Sequence, residues 1–105
     1  MKLTILNSRR NVRGQWILVD GGQYIVGRQR PRGKIPEVDL PFDRQISHQH
    51  CRVYVENGKW WIEDLLSTNG TMLNDEKVET PTILINEDEI RIGKVLLIVE
   101  IQTQN

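Results

Sequence analysis

Three short clusters hold the residue types that could do chemistry. Gly27-Arg28 opens a basic stretch, Ser47-His48-Gln49-His50 puts a hydroxyl near two imidazoles, and Ser67-Thr68-Asn69-Gly70-Thr71 gathers hydroxyls and an amide. Glycine lets a backbone turn or approach another segment closely, and arginine offers a planar fork of N–H donors suited to phosphate. Alone, that pair reads as a strand end with a solvated arginine. Ser47 and His50 invite the reading of a nucleophile and its base. That chemistry also needs a strained elbow, an orienting acid and an oxyanion hole, and no Gly-x-Ser-x-Gly occurs. His48 and His50 have only scattered carboxylates and a lone cysteine around them, so zinc-ligand spacing is absent. The residues 67–71 read in isolation as a turn whose side chains bond the local backbone. No catalytic residue and no metal ligand is assigned.

These clusters sit between strand-like stretches. Met1–Leu6 alternates, and Gln15–Val19 is a β-branched and aromatic run closed by Asp20-Gly21-Gly22. Gln23–Gly27 restarts a strand that ends at the first cluster. Arg52–Glu56 and Lys59–Ile62 flank Asn57-Gly58, a hairpin signal because both turn residues need positive φ. Thr82–Ile85, Glu89–Ile92 and Val95–Ile101 follow, the last run long enough for a central strand. Residues 29–36, 41–49 and 64–71 do not read as strands. Loops on a rigid β scaffold are where binding residues concentrate.

Composition agrees with an all-β domain. The 105 residues include no Ala, while 9 Val, 12 Ile and 6 Thr favour a pleated surface. That length suits one domain, read here as residues 1–105. Short strands at regular spacing imply a sandwich or barrel. Formal net charge is zero, which argues against a general coat for nucleic acid. No apolar run approaches the ~20 residues of a membrane span, and no signal-peptide pattern opens the sequence. One cysteine excludes an internal disulfide, and Cys51 is expected to be a buried small hydrophobe. The charge is uneven: residues 1–52 carry 10 basic and 4 acidic side chains, and residues 53–105 carry the reverse. Either the halves attract each other, or the first half offers an anion site. Trp16, Trp60 and Trp61 are expected to fill the core rather than stack on bases.

Taken in order, Gly27-Arg28, Ser47-x-x-His50 and Asn69-Gly70 inside LLSTNGTMLN form a set that resembles the forkhead-associated (FHA) domain. Val38-Asp39-Leu40, Trp61-x-x-Asp64-Leu65 and Asp88-x-Ile90-x-Ile92-Gly93 support the resemblance, which covers nearly the whole chain. It implies an eleven-stranded β-sandwich with binding loops at one end. It implies a cytoplasmic, non-enzymatic module, without a cofactor, that binds phosphothreonine segments of Ser/Thr kinase substrates. A phospho-independent docking module of the same fold is the alternative.

By the family pattern, Arg28 would pair with the phosphate, Ser47 would donate its hydroxyl, and Thr68 would add a contact. Asn69 would hold the peptide main chain. Gly27, His50 and Gly70 would be structural, the His bracing the loop that carries Ser47. The residue after the serine is often Arg in similar domains; here it is His48. Protonated, it would be a cation beside a dianion, so affinity is expected to rise as pH falls from about 8 to about 6. A solvent-pointing His48 is the plainer alternative. Arg30, Arg32 and Lys34 are candidates for reading acidic flanks of the segment, or are solvated charges. Gln45 lies where similar domains often help to select a downstream residue, and its neutral amide argues against a strong charge preference through that position.

Overall fold

The computed structural model describes residues 1–8 and 11–102. Eleven strands and no helix occur among them: β1 Lys2–Asn7, β2 Gln15–Ile17, β3 Gln23–Gly27, β4 Val38–Asp39, β5 Cys51–Glu56, β6 Lys59–Asp64, β7 Thr71–Leu73, β8 Glu76–Lys77, β9 Thr82–Ile83, β10 Glu89–Ile92 and β11 Val95–Glu100. They form two sheets, ordered β2-β1-β11-β10-β7-β8 and β4-β3-β5-β6-β9. The apolar run at the end of the chain lies inside its sheet, antiparallel to both β1 and β10. Arg9, Arg10 and residues 103–105 lie outside the described residues, so two cations of the basic half and the end of the expected 1–105 span are not placed.

Alternation builds the core. Val95, Leu97 and Val99 of β11, Leu3 and Ile5 of β1, and Ile90 and Ile92 of β10 point inward from one sheet. Val26, Val53 and Ile62 meet them from the other. Each fully buried aliphatic side chain contributes about 1.5–3 kcal/mol. Asn57 and Gly58 both have positive φ, as the hairpin between β5 and β6 requires. Cys51 is fully buried, as expected, and burial pushes its thiol pKa up.

Several expectations are corrected. Only Trp60 joins the core, stacked on Tyr24 at 6.2 Å. Consecutive strand residues face opposite sides of a sheet, so Trp60 and Trp61 cannot both point inward. Trp61 is half-buried on the other face, where its Nε1–H donates to the Glu56 carbonyl, and Trp16 packs at the core margin. Strand β2 stops at Ile17 rather than Val19, and β9 at Ile83 rather than Ile85. Asp64 and Thr71 end and begin strands rather than lying in a loop. The reading in which the halves attract each other holds in part: Lys2–Glu100 and Arg52–Glu63 pair across them, at 3.2 and 2.9 Å.

Candidate functional site

Three connections converge beyond the ends of β3, β4 and β6. Each is pinned by backbone chemistry rather than by packing alone. The Arg28 N–H donates to the Ser47 carbonyl, and the Leu40 N–H to the Gly27 carbonyl. Gly27 is buried so tightly that an added Cβ would stand 2.0 Å from the His48 carbonyl oxygen. That glycine is a steric requirement, not a turn preference.

His50 joins two of the connections. Its Nδ1 accepts the Ser47 N–H at 3.0 Å, so Nε2 carries the ring proton and donates to the Gly70 carbonyl at 2.8 Å. The ring is fully buried, and desolvation lowers its pKa below the ordinary 6.5; the Gly70 bond and the charges of Asp64 and Asp43 only partly oppose this. With both nitrogens committed to backbone, His50 has no atom free to take a proton from the Ser47 hydroxyl. Gly70 has φ of +82°, which suits glycine and turns its carbonyl toward the ring.

Carboxylates organise the loops from behind. Asp64 accepts the Ser67 N–H and the hydroxyls of Ser67 and Thr71. Buried Asp43 accepts the Gln45 N–H at 2.9 Å and the Lys94 N–H at 2.7 Å, tying the loop before Ser47 to the β10–β11 hairpin. Asp39 accepts the Gln29 N–H at 3.0 Å. These three acids use their oxygens on the protein itself.

The other face of these loops forms an open cleft of about 430 Å³. Arg28, Ser47, His48, Thr68 and Asn69 line it, together with Arg30 and Gln45. The Arg28 Nε–H donates to the Ile46 carbonyl at 2.9 Å, which fixes the guanidinium beside the loop and leaves its terminal N–H groups unused by that bond. The Ser47 Oγ accepts the Thr68 N–H at 3.0 Å, so its own proton is free to be donated. The Asn69 side-chain amide donates to the Gln45 carbonyl at 2.9 Å. His48 is half-buried rather than pointing into solvent. Its Nδ1–H donates to the Arg28 carbonyl at 2.7 Å, leaving Nε2 as the second site for a proton.

The cleft is therefore cationic, hydroxyl-bearing and held rigid by the backbone of its own loops. Such a surface can grip a small multiply charged anion and the polar chain attached to it. Arg32 and Lys34 are not part of the lining; Lys34 borders a neighbouring depression with Ile35 and Pro36. Sequence reasoning missed Arg44 and Leu65, which do line the cleft, and Asp43, which holds it. Only Asp43 left a local signal, an aspartate two residues before an amide it can accept in a turn.

A two-sheet sandwich that displays its polar loops at one end is the class of fold this chain adopts. The chain belongs to the forkhead-associated domain family, whose FHA domain model matches residues 24–93. The glycogen accumulation regulator GarA of Mycolicibacterium smegmatis is 36% identical over 67 residues, 63% of this chain and 42% of GarA. The chain thus matches less than half the length of that relative. The crystal structure of the FHA domain of CT664 from Chlamydia trachomatis superposes with a TM-score of 0.81 at 27% identity, covering 97% of both chains. A structure from a functional analysis of phosphothreonine-dependent FHA domain interactions superposes at 0.79 and 27% identity, covering 98% of this chain and 97% of that one.

Proposed function

We propose that this chain is a phosphothreonine-dependent protein-binding module acting on segments phosphorylated by Ser/Thr kinases in the cytoplasm. The observation that carries the reading is the convergence of the Arg28 guanidinium, the Ser47 hydroxyl and the Thr68–Asn69 turn on one cleft. In this reading Arg28 pairs with the phosphate and Ser47 donates its free proton to it. Thr68 adds a contact from the opposite loop. Asn69 exchanges its Gln45 bond for the main chain of the bound segment. Gly27, His50 and Gly70 hold the loops and touch no ligand. The phosphothreonine-dependent interactions studied for a structural relative support the reading.

Hydrogen bonds to a charged group contribute about 1.5–3 kcal/mol each. Two or three of them, less the cost of ordering side chains, give phosphate dependence of about 3–5 kcal/mol. That is a factor of about a hundred to several thousand in affinity. The test is retention of a phosphothreonine peptide library by wild type and Arg28→Ala, beside the same library after phosphatase. Retention that survives phosphatase, or survives loss of Arg28 in a folded variant, would replace this reading with phospho-independent docking.

A further inference from the structure

The cleft holds more positive charge than one phosphothreonine needs. Arg28 and Arg30 reach it from the connection after β3, and Arg44 from the connection after β4. No Asp or Glu is among the residues that line it. The acids between Arg28 and Arg44 in the sequence, Glu37, Asp39 and Asp43, each accept a backbone N–H: Glu37 from Ile25, Asp39 from Gln29, and Asp43 from Gln45 and Lys94. Among the described residues the ion pairs are Lys2–Glu100 and Arg52–Glu63, so none of the three arginines is paired with a carboxylate.

Arg44 is displayed from a rigid turn. Asp43 and Ile46 are buried, the Ile46 N–H donates to the Asp43 carbonyl at 3.2 Å, and the Gln45 N–H donates to the Asp43 carboxylate at 2.9 Å. Arg28 is fixed beside Ser47 by its Nε bond, and it supplies the charged partner of the first anion. A phosphothreonine brings nearly two negative charges. Three arginines line one cleft that has no acid among its lining residues, and such a surface complements a ligand carrying more than one anionic group.

We propose that the recognised segment carries a second anionic group close to the phosphothreonine, and that Arg44, supported by Arg30, is its receptor. The inference rests on the cleft being the phosphothreonine site. The second anion is an acidic side chain or a second phosphate; both present oxygens that accept bidentate guanidinium bonds.

Three peptide sets distinguish these sources: one phosphothreonine with Ala flanks, the same with Glu at each flanking position in turn, and a doubly phosphorylated segment. Wild type is expected to bind the best Glu-bearing or doubly phosphorylated peptide about tenfold more tightly than the Ala-flanked one. Arg44→Gln should erase most of that preference while changing Ala-flanked affinity less than about threefold. Arg91→Gln, an exposed arginine on β10, controls for overall charge and should leave the preference intact. Equal affinity of wild type for all three sets would overturn the proposal. So would Arg44→Gln weakening every set by one common factor, since Arg44 would then serve the phosphothreonine itself. If no set binds better than its dephosphorylated twin, the parent reading fails and this one with it.

Discussion

The His48 carbonyl oxygen stands where a Cβ on Gly27 would have to be, 2.0 Å from the ideal position. Two segments 21 residues apart are thereby locked backbone to backbone, and the lock sets the positions of both Arg28 and Ser47. The clash is with a carbonyl, not with the end of a flexible side chain, so it cannot be relieved without moving the loop. Gly27→Ala is expected to destabilise the fold by about 3 kcal/mol or more. Urea denaturation should show it, and phosphopeptide affinity should fall in whatever fraction remains folded. A wild-type denaturation midpoint would mean that the two loops are free to separate.

His50 makes stability depend on pH. Its pKa is lowered by burial in the folded protein, whereas the unfolded chain titrates near 6.5. Below about pH 6.5 the unfolded state binds the proton first, so stability is full above that value and declines as pH falls toward the lowered folded pKa. It levels off once the folded ring is protonated too. Denaturation midpoints measured from about pH 8 to about pH 5.5 should decline on the acid side. In His50→Asn, which is expected to be about 2–3 kcal/mol less stable through the lost buried bonds, that part of the decline should vanish.

Leu66 combines two unfavourable features. It has φ of +56° and its side chain is 98% exposed, beside the residues that line the cleft. The left-handed region costs a residue with a Cβ about 1–2 kcal/mol, and glycine little. Leu66→Gly gives up almost no packing, and only part of the gain is offset by the entropy of the unfolded chain. The variant is expected to be more stable by a few tenths to about 1 kcal/mol. A loss of stability in thermal or urea unfolding would show that Leu66 has a packing role that its exposure conceals.

His48 offers a test of how the loop is held. Its Nδ1–H donates to the Arg28 carbonyl at 2.7 Å and so ties the two segments that carry Arg28 and Ser47. His48→Ala is expected to weaken binding of a phosphothreonine peptide by about three- to tenfold. Calorimetric titration of wild type and variant should show the loss. Equal affinity would mean that the Gly27–His48 backbone contact holds the segments without this bond.

Much of the architecture was legible in residue types. The absence of Ala, the β-branched surplus and the alternation in residues 52–56 and 95–101 specify strands without reference to anything distant. Asn57-Gly58 fixes its hairpin through local dihedral preference alone. Weak short strands such as Val38–Asp39 and Glu76–Lys77 left no such trace, because two residues carry no period and exist only through their partners.

For the cleft, the amino-acid order determined which side chains were available: one arginine after a glycine, a serine three before a histidine, an amide in a turn. It could not determine which of them meet. Tertiary structure decided that Arg44 faces the cleft while Arg32 does not. It also decided that both nitrogens of His50 go to backbone, and that Asp39, Asp43 and Asp64 serve the loops rather than the arginines. The physical reason is that a hydrogen bond or a repulsion depends on distance and direction through space. Loop residues far apart along the chain acquire both only when the two sheets pack and bring their ends together.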